Sequence, residues 1–336
     1  MLLSRTADNL FWMARYIERA ESTARLLDVG RRMASVVTEP DAAASEWAST
    51  IDAAGCEATF ASAHDIHTAG NFIDHLVRDV RNPSSIFASL AVVRQNARVV
   101  RTALSQDVWD AVNGMWIESQ AWRDDDFTVA GLPRILDWVK ERSQRFGGAV
   151  ANTMLRSEAY WWVRLGTFLE RAENSARIVD VKYHVLIPRP PGEAGPLDEY
   201  QWGAVLRAVS AYRAYHWVYR DRLDPVRVAE LMILRPEMPR SLVSCIAQVT
   251  YYLERIASDG SHAPDGGASP VRADLAPERG EVSRRPLAIS RAIEDGLRTA
   301  TIERIYGEGL HEFLTRFIGT MNSIGHEIRR EYLLGE

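Results

Sequence analysis

ERAESTAR at residues 18–25 and ERAENSAR at residues 170–177 are nearly the same charged octet, each placed inside a long helical pattern. A second match follows in the same order: NFIDHLVRDVRNPSSI (71–86) aligns with RVAELMILRPEMPRSL (227–242). Both segments of the second match end in Pro-x-Ser, which suits the first turn of a helix. Two matches in the same order indicate that a helical unit is duplicated within the chain.

Apolar residues recur with helical spacing along nearly the whole chain, and no convincing alternating strand pattern is present. The pattern predicts an all-α, multi-helix bundle, with repeats at 1–152 and 153–336 that form one compact domain. Segment 259–284 is rich in Gly, Pro and charge and predicts a flexible insert in the second repeat. The predicted helices run at about 4–37, 42–60, 65–79, 84–103, 105–121, 131–153, 156–186, 197–219, 224–234, 240–258, 285–308 and 311–333.

Composition and charge exclude several classes of protein. The 336 residues include 40 basic and 45 acidic side chains, a net charge of −5, so no bulk electrostatic attraction to nucleic acid is expected. No apolar run reaches membrane-spanning length, and no signal peptide is recognised. Cys56 and Cys245 form no CxxC motif, which fits a reducing compartment. We expect a cytoplasmic protein, and leave open whether two copies associate.

Each octet lies beside an apolar stripe on its helix. The stripes are Leu10, Met13, Ile17, Ala20, Ala24 and Leu27, and Trp162, Leu165, Leu169, Ala172, Ala176 and Val179. A Glu, a small polar residue and an Arg border each stripe: Glu18, Ser22 and Arg25, then Glu170, Asn174 and Arg177. Aromatic side chains on the other faces leave little of either helix for solvent, so these charges are expected to be buried and paired. The pairs either lock the bundle or belong to a functional site.

Two further groups of arginines are candidates for binding anions. Arg94, Arg98 and Arg101 share one helix face, where they would bind a carboxylate or phosphate or pair with acidic helices elsewhere. Arg240 and Ser241 stand at a predicted helix N-terminus, where anion binding and simple capping are both open.

No metal or nucleotide site is predicted in this chain. The octets lack the histidines of carboxylate-bridged metal bundles, and His64 and His67 are expected at the surface near a loop. P-loop, GxGxxG, GxSxG and HExxH motifs are absent from the sequence.

The chain resembles the alpha-E family of bacterial all-helical proteins along nearly its whole length. The segments that carry the resemblance are LSRTADNLFWMARYIERAESTARLLD (3–28), QNARVVR (95–101) with the following Trp109 and Asn113, LGTFLERAENSARIVD (165–180) and ILRPEMPRSL (233–242). One departure is Ala14, where the family often has Gly; Gly166 holds the matching place in the second copy.

The resemblance implies a place beside a circularly permuted ATP-grasp ligase, and often a transglutaminase-like peptidase, in a system that forms amide or peptide bonds. ATP and Mg²⁺ would then bind to that partner. By motif matching, the candidate catalytic residues are Glu18, Glu21, Glu170 and Glu173. The candidate substrate-binding residues are Arg15, Arg19, Arg25, Asn96, Arg98, Arg171, Arg177, Arg240 and Ser241.

Two hypotheses follow. In the first, buried arginines bind a carboxylate or acyl phosphate, and a glutamate whose pKa is raised by burial orients or deprotonates an amine. In the second, the protein is a non-catalytic scaffold or adaptor that docks the ligase or its peptide substrate. A third hypothesis is a helical enzyme that acts alone on a small anion or through a metal ion.

Overall fold

The computed structural model describes residues 2–37, 39–185, 196–259 and 285–333, and helices are the only regular secondary structure in these ranges. This confirms the predicted all-α class. The α-helices are α1 (Ser4–Ala34), α2 (Pro40–Ala53), α3 (Glu57–Ala63), α4 (Ala69–Val77), α5 (Ile86–Val99), α6 (Gln106–Ser119), α7 (Leu132–Thr153), α8 (Glu158–Val185), α9 (Pro196–Ala208), α10 (Tyr212–Tyr219), α11 (Pro225–Ile233), α12 (Leu242–Asp259), α13 (Arg285–Thr299), α14 (Ile302–Glu308) and α15 (Leu310–Ile328).

The two octet-bearing helices, α1 and α8, pack against each other at the centre of the bundle. Their apolar stripes are buried, including the four alanines that lie between the charged residues. At Gly166 the two helices come close together: a Cβ there would collide with the Phe11 carbonyl and lie 3.3 Å from the Ala14 Cβ. The missing side chain therefore sets how closely the two helices approach, and with it which charges can meet.

The other helices surround this central pair in matching ways. Helix α1 packs against α5 and α7, and α8 packs against α12 and α15. Helix α2 also packs against α8, while α9 packs against α1, so each half sends one helix across to the other. Matching segments thus occupy matching places, although the duplication itself remains an interpretation of the sequence.

Two predicted helices are each divided by a residue with left-handed backbone. The helix expected at 42–60 ends before Gly55, with φ of 67°, and the one expected at 197–219 ends before Ser210, with φ of 61°. Because glycine and, rarely, a polar residue adopt this conformation at a helix C-terminus, each turn redirects the chain. The helix expected at 285–308 is also divided, and the Thr301 side chain caps the new helix α14.

Two further sequence predictions concern the insert at 259–284 and the absence of membrane-spanning segments. Apart from Asp259, the last residue of α12, the insert predicted at 259–284 lies outside the described residues. Within the described ranges, no helix is both long enough and apolar enough to span a membrane.

Candidate functional site

The two octets exchange arginines across the seam between α1 and α8. Arg171 donates from Nε and Nη2 to the two carboxylate oxygens of Glu18, at 2.9 and 2.8 Å. Arg19 donates in the same way to Glu170, at 2.6 and 3.2 Å. Both glutamates are buried, with exposed fractions of 2% and 1%. Each Glu-Arg dipeptide therefore supplies the arginine that pairs with the glutamate of the other. Such pairing is required because a buried carboxylate needs a cation as partner.

Glu18, Glu21, Arg25, Arg171 and Arg240 form the first cluster. Arg240 lies where α11 leads into α12 and bridges the two carboxylates, donating to Glu18 at 2.9 Å and to Glu21 at 2.6 Å. Arg25 donates to the same oxygen of Glu21 from Nε at 3.0 Å and from Nη2 at 2.6 Å. Three guanidiniums thus converge on two carboxylates.

Glu170, Glu173, Arg15, Arg19 and Arg177 form the second cluster. Here the bridging residue is Arg15, which donates to Glu170 at 2.6 Å and to Glu173 at 3.4 Å. Arg177 donates to Glu173 from Nη2 at 2.9 Å. The second cluster has the same formal charges as the first, but its bridging arginine comes from α1 itself.

The last arginine of each octet also binds the end of a crossing helix. Arg25 donates to the carbonyl of Ala208, the last residue of α9. Arg177 donates to the carbonyl of Ala53, the last residue of α2, at 3.4 Å. The last carbonyls of a helix have no partner within the helix, so these contacts satisfy them and attach each crossing helix to the opposite octet.

Glu18 and Glu170, the first glutamates of the two octets, are held in the ionised form. Burial alone would raise the pKa of Glu18, but the charges of Arg171 and Arg240 outweigh burial and lower it from 4.5 to about 2. Glu170 has its pKa lowered to about 2 in the same way, with Arg15 as the strongest opposing charge. The expectation that burial would raise these pKa values is therefore wrong for both residues, because neighbouring arginines decide the sign.

A cavity of about 370 Å³ opens beside the first cluster. Its charged lining residues are Glu18, Glu21, Arg25, Arg164, Arg171 and Arg240. Four guanidiniums thus face two carboxylates, which leaves the lining with an excess of positive charge. Arg164 is half-buried, donates one hydrogen bond to the Tyr252 hydroxyl at 3.3 Å, and pairs with no carboxylate among the described residues. This excess of positive charge favours an anion over a cation or a neutral group.

One position explains why the cavity adjoins the first cluster. Arg15 and Thr167 hold matching places in the two octet-bearing helices. Arg15 reaches into the second cluster, where Gly325 of α15 leaves room for it: a Cβ there would lie 3.2 Å from Arg15 Nη1. Thr167 is short, donates to the Val163 carbonyl of its own helix at 3.0 Å, and lines the cavity.

Two candidates from the first half lie outside both clusters. Arg98 is exposed near the end of α5, and neither Arg98 nor Asn96 lines the cavity. Their neighbours Arg94 and Arg101 stack over Trp side chains rather than gathering around a shared anion. The structure therefore does not bring the arginines of this segment to the charged seam.

Arg240 and Ser241, which directly precede α12, have different roles, although capping and anion binding were both left open for the pair. The Ser241 hydroxyl accepts from the Ser244 amide at 3.2 Å, which is a capping contact. Arg240, its neighbour, points instead into the first cluster and is only 8% exposed. Position in the sequence alone did not separate a cap from a site residue.

Sequence reasoning missed several cavity residues. Arg164 carried a usable signal, because its spacing from Thr167 and Arg171 places all three on one helix face. Ser143, which donates to Glu21 at 2.6 Å, comes from α7 and had no such signal.

His64 is a further correction: it was expected at the surface, but its side chain is only 11% exposed and faces Asp79.

Comparison with known proteins identifies relatives of the chain. Uncharacterized proteins of Mycobacterium bovis and Mycobacterium tuberculosis are each 25% identical to the chain over 321 residues. The match covers 90% of this chain and 35% of each relative, so the chain spans about a third of the length of the curated relatives it matches. No solved structure gives a significant match.

A family profile matches residues 2–333, and its description reads "a predicted alpha-helical domain with a conserved ER motif". Glu18-Arg19 and Glu170-Arg171 are such Glu-Arg pairs, and in this chain they are the residues that exchange across the central seam. With nearly the whole chain matched, the protein belongs to the Alpha-E family.

Proposed function

We propose that the protein binds the anionic group of a substrate, a carboxylate or an acyl phosphate, in the cavity beside the first cluster. The observation that carries this proposal is Arg164, a half-buried guanidinium that faces the cavity without a carboxylate partner among the described residues. A planar guanidinium matches carboxylate and phosphate oxygens in pairs, and it binds them more strongly away from bulk water.

The neighbouring arginines support the same proposal. The pKa of Arg25 is lowered by burial and by the nearby charge of Arg240, so guanidiniums are crowded at this end of the cavity. A bound anion would relieve that repulsion. With a pKa of about 2, Glu18 is a weak general base at neutral pH, and the glutamates fit better as residues that position the arginines. A catalytic role for Glu18, Glu21, Glu170 or Glu173 stays a prediction.

The wider proposal is a helical component of an ATP-grasp-associated system that forms amide or peptide bonds. The alpha-E resemblance supports this, and ATP with Mg²⁺ would bind to the ATP-grasp partner. The relatives are about three times as long as the matched region, which fits a unit that works beside other domains. In such a system, an arginine-lined cavity would hold the acidic group of a substrate while the partner supplies activation.

Calorimetric titration with acetyl phosphate, inorganic phosphate and acetate tests the cavity directly. We expect millimolar or tighter binding that is lost in Arg164→Met and in Thr167→Arg, which fills the cavity. Arg94→Met is the matched control, because Arg94 is also half-buried and stacked on an aromatic ring but lies outside the cavity. Absence of binding to the unmodified protein, or equal loss in the control, would refute the anion site.

The role in bond formation is tested separately. In a reaction containing the ATP-grasp partner, ATP, Mg²⁺, an acid and an amine, Arg164→Met should lower product formation at least about 10-fold, which is the loss of one charged hydrogen bond. Normal turnover by this variant would remove the cavity from the reaction even if anions bind to it.

A non-catalytic scaffold is the second candidate, favoured by the saturation of the carboxylates with arginine partners. If the octets only lock the bundle, Glu18→Gln should lower the melting temperature and leave product formation unchanged at temperatures where the variant is folded. A pull-down with the ATP-grasp partner completes the test, since a scaffold that fails to associate at micromolar concentration is ruled out.

A further inference from the structure

A group of potential metal ligands lies away from the charged seam, near the ends of α3 and α4. Ligand atoms of His64, His75 and Asp79 all lie within 4.8 Å of one another. His75 Nδ1 is 3.4 Å, and His64 Nε2 is 3.8 Å, from the same oxygen of Asp79. In a tetrahedral zinc site with bonds of about 2.0–2.1 Å, neighbouring ligand atoms lie about 3.4 Å apart. Small side-chain adjustments would therefore bring the three into coordination.

The hydrogen bonds around His75 determine which of its nitrogens is available. The Thr59 hydroxyl donates its single proton to the Cys56 carbonyl at 2.9 Å. With the proton in this contact, Thr59 accepts from His75 Nε2, 3.1 Å away, and Nε2 carries the imidazole proton; the other tautomer, in which Nδ1 donates to Asp79, is the metal-free alternative. In the neutral imidazole, Nδ1 then directs a lone pair at the carboxylate of Asp79. A cation between the two acceptors would make this contact favourable.

His64 supplies an independent indication. Its Nε2 atom is buried and has no hydrogen-bond partner among the described residues, although the side chain is only 11% exposed. The ring is held between Phe60, at 5.0 Å, and the ring of His75, at 5.5 Å. A buried polar atom without a partner is costly and rare, so this nitrogen calls for a ligand.

Asp79 is already oriented by a neighbour that a metal ion need not displace. Arg81 donates from Nε to Oδ1 at 2.9 Å and from Nη2 to Oδ2 at 2.9 Å. The second lone pair of Oδ2 remains directed towards the two histidines. An outer partner that fixes a coordinating carboxylate in this way is a regular feature of metal sites.

We propose that His64, His75 and Asp79 bind one divalent first-row transition-metal ion, with zinc as the best match to two imidazoles and a carboxylate. Three protein ligands leave a fourth position for water or for the oxygen of a small ligand. The ion would also join the end of α3 to α4. This site is separate from the arginine-lined cavity and revises the expectation of a chain without a metal site.

Titration of the chelator-treated protein with zinc chloride, followed by calorimetry, tests the proposal. We expect one ion per chain, with affinity reduced at least about 100-fold in His64→Ala and in Asp79→Asn, since loss of an outer partner alone costs 10–100-fold. His67→Ala is the matched control: His67 stacks on Phe60 at 5.4 Å but is exposed and outside the ligand group. The assignment would be overturned if His64→Ala bound zinc as tightly as the unmodified protein, or if His67→Ala lost as much affinity as His64→Ala.

A measurement on the unmodified protein keeps the test independent of variant folding. Cobalt(II) in place of zinc should give the strong visible absorption of a tetrahedral ion with nitrogen and oxygen ligands, and one equivalent of zinc should abolish it. A spectrum of octahedral aqueous cobalt at all protein concentrations would mean that the site does not bind the ion, and that His75 Nδ1 instead donates a hydrogen bond to Asp79.

Discussion

The first and second clusters have the same formal charges and the same exchange of arginines, yet they differ in what lies beside them. In the second cluster, Arg15 spans from α1 to both carboxylates. In the first, Arg240 arrives from another part of the chain, and Thr167 stands where an arginine would match Arg15. The first cluster consequently adjoins a cavity, and the second is filled by its own bridging arginine.

The difference shows how one motif can serve in one place as a buried ion-pair network alone and in another as the wall of a cavity. Both clusters bury carboxylates that require their arginines, so both are needed for stability. The difference that leaves the space open lies outside the octet, where Arg15 in one helix is matched by Thr167 in the other. A repeated motif therefore indicates where charge is buried, while the residues that flank it determine whether a cavity lies beside that charge.

The largest expected effect comes from removing one central carboxylate charge. Glu170→Gln should reduce the free energy of unfolding by about 3–5 kcal/mol, because it leaves Arg19 without its carboxylate partner and Arg15 with only the longer contact to Glu173. Glu18→Gln should cost less, because water in the adjoining cavity can hydrate Arg171 and Arg240. Urea unfolding monitored by circular dichroism measures both values.

The control for this comparison is Glu254→Gln, which breaks an exposed ion pair with Arg291 and should cost less than about 1 kcal/mol. An equal loss in Glu18→Gln and Glu170→Gln would contradict the claimed difference in hydration between the clusters.

Acid should weaken both clusters in a defined range of pH. Glu18 and Glu170 have pKa values lowered from 4.5 to about 2, so the unfolded chain binds more protons than the folded one between these values. Their contribution is therefore fully present above about pH 4.5 and is lost as the pH falls towards 2. It is on the order of 3 kcal/mol for each group. Unfolding titrations between pH 2 and 6 measure it.

In Glu18→Gln and Glu170→Gln, the dependence of unfolding free energy on pH should become shallower over this range, because one coupled carboxylate is gone. Slopes identical to that of the unmodified protein would show that these two groups do not set the acid sensitivity.

The octets show how far the sequence leads. Spacing alone predicted that Glu18 and Glu170 border an apolar seam, and both are buried there. It did not predict that each glutamate forms an ion pair with the arginine that follows the other glutamate. That pairing depends on the rotation and separation of α1 and α8. The separation is fixed by contacts such as that of Gly166 with Phe11, which are not local in sequence.

The cavity was less predictable than the fold. All-helical character follows from periodicity, which every helix displays locally. The cavity instead depends on a side chain that is too short, Thr167, and on contributions from helices α1, α7, α8 and α10 and from the segments before α10 and α12, such as Ser143 and Arg240. A missing volume leaves no pattern in a single sequence, so the cavity follows only from the assembled helices.

A smaller effect is expected where the octets hold the crossing helices. Arg25→Lys and Arg177→Lys keep the charge but lose the paired contact with Glu21 or Glu173 and the link to a helix end. We expect a loss of about 1–2 kcal/mol, larger at Arg25, whose side chain is 4% exposed against 22% for Arg177. Thermal unfolding of the two variants measures the order, and a larger loss at Arg177 would contradict it.

The smallest expected effect concerns the two left-handed residues that follow these helix ends. Ser210 adopts a conformation that disfavours a side chain, so Ser210→Gly should raise the free energy of unfolding by up to about 1 kcal/mol. Gly55→Ala should have the opposite sign, because the residue has φ of 67° and the new Cβ would lie 3.0 Å from Arg177 Nη1. Both are measured by urea unfolding. If Ser210→Gly instead destabilises the protein, the serine side chain contributes to the cavity wall more than its backbone strain costs, and the first cluster would differ from the second at this turn as well.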